Sequence, residues 1–294
     1  MTATQEVYHG NCFDRLREIP DKSVTLILTD PPYGHRNNDG DLISVWEAAC
    51  PGKRGSVEKM EPRPIDNDGP EENEALIKGL FAEAARLLAP SGSCCCCCCC
   101  CCCCCCGGGG GPDPQFARWS KWMADALSFD QMVIWDKGPM GMGWRYRRSY
   151  ETVLIAHRKG GKMSWHTESK QIENVIRPGS YGIRKICPNP DQHPTEKPVE
   201  LFELFIRLHT KPGDLVVDPF CGSGASGVAA KKLGRNWIGC DTDIRWVEMT
   251  RRRLNATTPP LPGWIESEIE RCETLPRRKV REEGGIVGDN FQLK

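Results

Sequence analysis

The stretch Leu26-Ile27-Leu28-Thr29-Asp30-Pro31-Pro32-Tyr33 decides how the chain is read. Val24 to Leu28 is a short apolar run, which predicts a buried strand. The run stops at a carboxylate and two prolines. Proline lacks an N–H and fixes φ, so Pro31-Pro32 continues neither a helix nor a central strand. The result is a stiff, extended hinge just past a strand's carboxyl end, which is where open α/β sheets place their ligands. The hinge offers one carboxylate (Asp30), one backbone acceptor (the Pro31 carbonyl) and one flat ring (Tyr33). Taken alone, these four residues also read as a plain turn.

A second stretch gives the hinge its partner. Leu215 to Asp243 reads strand, glycine-rich turn, helix, strand, acid, with Asp218-Pro219-Phe220-Cys221-Gly222-Ser223-Gly224 as the turn. This is one βαβ nucleotide-binding unit. Gly222 and Gly224 let the backbone approach a ligand closely. The free N–H groups of a helix starting at Ala225 favour negative charge. Asp241, at the end of the next strand, is placed to accept from both hydroxyls of a ribose. The turn serves NAD or S-adenosylmethionine. The missing third glycine and the Pro-Phe before the turn favour the latter. Upstream, His193-Pro194-Thr195-Glu196-Lys197-Pro198 precedes an apolar helix. There Lys197 can pair with a carboxylate and Thr195 can donate a hydrogen bond. Thr195 as helix cap and Pro198 in the first turn is the compatible structural reading.

Composition sets the outer bounds. A chain of 294 residues is one large α/β domain or two small ones. It buries roughly three quarters of its unfolded surface without staples. Basic and acidic residues balance at 39 each, yet unevenly. Residues 1–90 hold 10 Lys/Arg against 16 Asp/Glu, a net of −6, whereas residues 137–185 hold 11 against 3, a net of +8. A basic middle segment suits a polyanion or an ordinary solvated surface. No apolar run has membrane-spanning length and no signal peptide is present, which predicts a cytoplasmic protein with no membrane partner.

Of 19 cysteines, 13 form one run, Cys94 to Cys106. Neighbouring side chains on a strand point to opposite faces, so the run cannot stitch itself. It also lacks the spaced pairs of a zinc site, and no metal is expected. Free cysteine behaves as a small buried hydrophobe, so the first part of the run reads as a core strand. Metal or redox chemistry and a sequence artefact are the alternatives. Gly107 to Gly111 and Pro112-Asp113-Pro114 mark a loop.

In chain order, the patterns predict strands at 6–9 and 24–28 and helical turns at 13–19. Residues 34–70, polar and aperiodic, read as a mobile loop. Helices follow at 71–88 and 115–127, the second carrying an aromatic face built on Trp119 and Trp122. Strands at 131–135 and 150–156 read as a hairpin, and a turn is expected at Ser91-Gly92-Ser93. Residues 157–190 are basic and lack a strong period. The end of the chain reads as helix 198–209, strand 215–217, helix 225–233, strand 236–240 and helix 244–254. Residues 257–263 read as a linker, followed by a charged tail that is helical near 265–272 and disordered beyond.

The hinge first, a basic middle, then HPTEKP and DPFCGSG is an order that resembles the β-ordered group of amino DNA methyltransferases, over Val7 to about Leu254. The Tyr150-Glu151 strand is also similar to a motif of that group. The resemblance implies an α/β, Rossmann-like methyltransferase fold: a seven-stranded, mostly parallel sheet with helices on both faces and a reversed edge hairpin. It implies a methyltransferase domain over 1–256, with a DNA target-recognition region at 138–190, and a linker and tail over 257–294. Asp30, Pro31, Pro32 and Tyr33 would be catalytic. Gly10, Asn11, Cys12, Asp30, Thr195, Lys197, Asp218, Pro219, Phe220, Gly222, Ser223, Gly224 and Asp241 would line the S-adenosylmethionine site, with Asn11 standing where relatives often carry an acid. Lys137, Arg145, Arg147, Arg148 and Lys162 would contact double-stranded DNA. Relatives often pair, so a homodimer is compatible, as is a separate cognate restriction endonuclease.

The implied reaction is methylation of the exocyclic N6 of an adenine flipped out of the duplex. N4 methylation of cytosine uses the same geometry, but that subclass looks more often like Ser than Asp at the position of Asp30. Carbon-5 methylation needs a nucleophilic cysteine, in a Pro-Cys motif that this chain lacks. An RNA or protein methyltransferase would more often resemble Asn-Pro-Pro-Tyr. A catalytically silent DNA-binding relative is the non-enzymatic alternative.

Overall fold

A computed structural model of the chain describes residues 3–33, 70–98, 115–138, 149–167, 172–177 and 196–274. The expected loop at 34–70, apart from Pro70, the glycine-rich loop after the cysteine run, and the tail from 275 onward lie outside the described residues.

The apolar runs become strands of one sheet: β1 (Gln5–His9), β2 (Val24–Thr29), β3 (Leu88–Cys98), β4 (Ser128–Asp136), β5 (Tyr150–His157), β6 (Val175–Ile176), β7 (Leu215–Asp218) and β8 (Asn236–Asp241). Their order is β1-β8-β7-β2-β3-β5-β4-β6. The pairs β1–β8, β8–β7, β7–β2 and β2–β3 are parallel. β5 runs against both β3 and β4, so the expected reversed hairpin is present.

Eight strands replace the expected seven. The addition is β6, two residues pairing parallel to Ile134 and Trp135 of β4. Two residues are too few to show a period in the sequence, and their neighbours are basic and polar.

Helices cover both faces. On one side lie α1 (Cys12–Glu18), α2 (Pro70–Leu87) and α3 (Gln115–Ala126), which bury Leu16, Ile77, Phe81, Trp119 and Met123. On the other lie α4 (Val199–His209), α5 (Ala225–Lys232) and α6 (Ile244–Ala256), which bury Leu201, Phe205, Ala229 and Leu254. A last helix, α7 (Pro262–Thr274), starts inside the stretch expected to be a linker. Its Trp264 packs against the second core, so this part of the tail is docked.

Strand alternation sorts the central residues between the two cores. Ile27, Leu154 and Val217 face the first, and Leu26, Leu28, Val153 and Val216 the second. The cysteine run behaves as its position demands. Cys94 and Cys96 belong to the first core, Cys95 and Cys97 to the second, and all four are buried. Each large apolar side chain removed from water in this way contributes about 1.5–3 kcal/mol. Burial pushes the Cys94 thiol up to about 12, so it packs as an apolar group. The expected turn at Ser91-Gly92-Ser93 is instead an irregularity within β3, where the register against β2 jumps from Val24↔Leu88 to Leu26↔Ser93. A side chain on Gly92 would meet the Val24 carbonyl at 2.8 Å, which is why the kinked strand needs glycine there.

Among the described residues, no helix is long and apolar enough to cross a membrane.

Gly239 in β8 lies under the ring of Trp237, where an added Cβ would come within 2.1 Å of the indole. Trp237 is itself fully buried, so it has nowhere to retreat. Gly239→Ala is expected to lose about 1–3 kcal/mol through overpacking, read as a lower urea midpoint with an unchanged slope.

Candidate active site

The two sequence motifs meet because β2 and β7 are neighbours, pairing Leu26 with Val216 and Ile27 with Val217. The order reverses between them: β3, β5, β4 and β6 extend one way from β2, and β7, β8 and β1 the other. Ligand crevices of open α/β sheets form at such switch points, outside the carboxyl ends of the strands. Asp30 and Asp218 stand at those ends. Thr29 joins them, its hydroxyl donating to Asp218 Oδ1 at 2.7 Å across 189 positions of sequence.

Asp30 is held from both sides. Its Oδ2 accepts from Lys197 Nζ at 2.5 Å, and its Oδ1 accepts from the Tyr33 hydroxyl. Lys197 also donates to the Tyr33 oxygen at 3.0 Å. The Tyr33 ring is buried, tilted against Trp119 with 6.4 Å between centroids. Asn73, near the start of α2, donates to the Pro32 carbonyl and fixes the hinge. Lys197 is 4 % and Asp30 15 % exposed, so this ion pair sits largely out of water. Beyond it lies Glu151, with Oε2 at 3.6 Å from Lys197 Nζ and Oε1 accepting from Lys137 Nζ at 3.0 Å.

The glycine-rich turn is fixed from below. Asp218 accepts from the Ser226 hydroxyl and, at 3.2 Å, from the Phe220 N–H. Gly224 is the N-cap of α5 at φ 75°, a backbone shape that favours glycine, and a side chain there would strike Thr250. Thr250 in turn donates to the Gly222 carbonyl at 3.0 Å. Arg253 of α6 donates to the Ser223 carbonyl and pairs with Glu196, both at 2.9 Å, tying the segment before α4 to the turn. Asp241 accepts from the Gly222 N–H at 3.0 Å and the Asp243 N–H at 2.8 Å. These two bonds, one to each carboxylate oxygen, aim the group. Asn11 caps α1, accepting from the Phe13 N–H at 2.9 Å, and Cys12 is buried beside it. Gly10 donates to the Asp241 carbonyl at 2.9 Å, which brings the end of β1 to the same edge.

A family model described as a DNA methylase, covering N6 and N4 amino methylation, matches residues 24–252. The chain belongs to this DNA methylase family. It is 25% identical over 280 residues to the type II methyltransferase M2.MboI of Moraxella bovis, covering 90% of this chain and 93% of that one. It is 29% identical over 269 residues to M2.DpnII of Streptococcus pneumoniae, covering 84% and 88%. Among solved structures it resembles the M1.HpyAVI–SAM complex, with a TM-score of 0.56 and 23% identity over 86% of this chain and 100% of that one.

In this methylase the two expected DNA contacts among the described residues, Lys137 and Lys162, lie at opposite ends of the sheet. β5 crosses the sheet, so the chain before Tyr150 lies at the Asp30 end and the chain after His157 at the opposite end. Lys162 is at that far end, its N–H donating to the Pro90 carbonyl near the start of β3. An eight-residue strand spans about 27 Å, which separates Lys162 from the crevice. Lys137 is at the near end, with its ammonium turned to Glu151. Arg145, Arg147, Arg148 and Thr195 lie outside the described residues.

Reading the sequence for sites misses several side chains that shape the crevice. Glu151 lies in the strand whose start resembles a family motif, an acid inside an otherwise apolar run, but the sequence assigns it no role. Thr29, Ser226 and Thr250 had no signal, because hydroxyls within buried elements look like ordinary filler.

Burial raises the Asp218 carboxyl to about 7, against the lowering effect of its Ser226, Thr29 and Phe220 donors. The folded methylase therefore holds this proton more tightly than the unfolded chain. The contribution to stability is complete below the unfolded value near 4 and is lost as pH rises through about 7. Asp218→Asn keeps the shape and removes the titration. Relative to the wild type, it is expected to gain stability between pH 4 and 7, measured as paired urea midpoints.

Proposed function

We propose that the protein transfers a methyl group from S-adenosylmethionine to the exocyclic N6 of an adenine flipped out of double-stranded DNA. The supporting observation is the pairing of a buried, lysine-held carboxylate (Asp30) with a glycine turn and ribose-type acid (Asp241) at one switch point. The crevice suits the cofactor on its own chemistry. The left-handed glycines keep side chains off the start of α5, and Asp241 is aimed by two backbone donors. Gly10, Asn11, Cys12, Thr195, Lys197, Asp218, Pro219, Phe220, Gly222, Ser223, Gly224 and Asp241 are the residues assigned to hold it. S-Adenosylmethionine supplies an electrophilic methyl on a sulfonium sulfur.

The rest of the mechanism belongs to the hinge. A base in the duplex hides its amino group, so flipping costs a few kcal/mol. Asp30 and the Pro31 carbonyl each accept one N–H of the amino group. Two such bonds draw the nitrogen lone pair out of conjugation with the ring and aim it in line for displacement. Pro31 and Pro32 keep both acceptors from swinging. Lys197 fixes the rotamer of Asp30 from one oxygen, and the Tyr33 hydroxyl caps the other before the base arrives. Stacking of the flipped base on Tyr33 requires the ring to leave its place against Trp119 and give up its bond to Asp30.

Asp30 also favours adenine over the N4 of cytosine, since the resemblance associates serine with the cytosine subclass. The type II relatives favour a place beside a separate restriction endonuclease in the cytoplasm. The methyltransferase body then runs over 1–256, and pairing of two copies accompanies it.

Asp30→Ala is expected to bind S-adenosylmethionine as the wild type does and to lose methyl transfer by at least about 100-fold. Tritium transfer to DNA, followed by identification of the modified nucleoside, checks both points. Full turnover by the variant, or N4-methylcytosine as the product, overturns the corresponding part of the reading.

A further inference from the structure

Lys197 stands between two carboxylates, at 2.5 Å from Asp30 and 3.6 Å from Glu151. Glu151 in turn faces Lys137 at 3.0 Å. The signs alternate along Asp30, Lys197, Glu151 and Lys137. The four residues come from the hinge after β2, the segment before α4, the start of β5 and the end of β4. The hairpin fixes the last two. Trp135 pairs with Glu151, and the Lys137 N–H donates to the Ser149 carbonyl at 2.8 Å. Burying such a chain adds little net stability, because desolvation offsets most of the attraction. What it does supply is a fixed place for each charge.

We propose that Glu151 is a positioning residue for methyl transfer: its carboxylate, held by Lys137, sets where the Lys197 ammonium stands on Asp30. The inference rests on the reading of Asp30 as acceptor of the target amino group. A carboxylate that gives most of its charge to one ammonium is a weak acceptor for anything else. By sharing Lys197, Glu151 leaves Asp30 more of its charge for the substrate N–H. Lys137 keeps Glu151 from drawing Lys197 away altogether. Lys137 is thereby assigned to the ion chain and not to a DNA phosphate.

The groups that face Lys197 include Asp30 and Tyr33 from the hinge, Glu151 from β5 and Cys97 from β3. Burial holds the Cys97 thiol well above its usual range, so it stays uncharged. Glu151→Gln removes a negative charge beside Lys197 and favours its neutral form, which no longer holds Asp30 in place, so activity should fade at lower pH than in the wild type. Lys137→Met removes a positive charge from Glu151, which then holds the Lys197 proton harder, so activity should persist to higher pH. Opposite movements from two neighbouring substitutions are not what a loss of packing produces.

The test uses the full chain, S-adenosylmethionine and DNA from a host lacking DNA methylases. Glu151→Gln is expected to lower kcat roughly 10- to 100-fold, leave KM for DNA unchanged and move the alkaline limb of kcat downward. Lys137→Met is expected to move that limb upward. A second readout needs no turnover. In protein labelled with ¹⁵N-lysine, the Lys197 Nζ resonance, assigned through Lys197→Met, should titrate at lower pH in Glu151→Gln and at higher pH in Lys137→Met. If Glu151→Gln does not fold, the upward shift in Lys137→Met carries the test. Unmoved limbs and an unmoved resonance overturn the positioning role. So does a Lys137→Met variant whose only change is a higher KM for DNA, the mark of a phosphate contact. A wild-type protein that methylates no DNA refutes the reading of Asp30, and the role built on it falls too. An active wild type with unmoved variants refutes the positioning role alone.

Discussion

The parallel pairing of β2 with β7 is the constraint on which the rest of the molecule depends. β7 ends in one carboxylate and β2 leads directly into another, and the two strands are far apart in sequence. Only their adjacency brings the double-proline hinge next to the glycine turn. The Thr29–Asp218 hydrogen bond marks the junction, placed where no water competes for it. A buried bond of this kind is expensive to leave unmade, because each partner then loses its solvation without return. One-residue slippage of β2 against β7 would also turn Leu26 and Leu28 toward the wrong core.

From that junction the site is built outward by parts that fix one another. Asn73 and Tyr33 steady the hinge, Thr250 and Arg253 steady the turn, and Glu196 ties the approach of α4 to α6 through Arg253. The crevice is thus braced by elements from both faces of the sheet. Preorganised donors and acceptors of this sort give up no reorganisation energy when charge develops in the reaction.

Much of this was legible in the chain. The apolar run into Asp30 and the strand-turn-helix-strand around Gly222 each announced a strand end with a ligand beside it, and local patterns suffice for that. The cysteine run was readable as core because it follows an apolar helix and the Ser91-Gly92-Ser93 stretch, where a buried strand is due. What escaped depends on tertiary neighbours. β6 is too short for a period. The docking of α7 through Trp264 shows only when α4 and α5 are in place. The division of the basic middle segment between two ends of the sheet follows from β5 crossing it, which charge counting along the sequence does not register. Lys137 looked like a surface cation until its cross-strand partner was known.

The four buried cysteines of β3 have one more consequence. They sit in the middle of the sheet, with β2 on one side and β5 on the other, and burial keeps the Cys94, Cys95 and Cys97 thiols protonated and slow to react. An alkylating reagent reaches them only when the centre of the molecule parts. The chain thus carries an internal clock for its own opening, and the rate at which Cys94, Cys95, Cys96 and Cys97 themselves take up label in native buffer reports how often its deepest strand is laid bare.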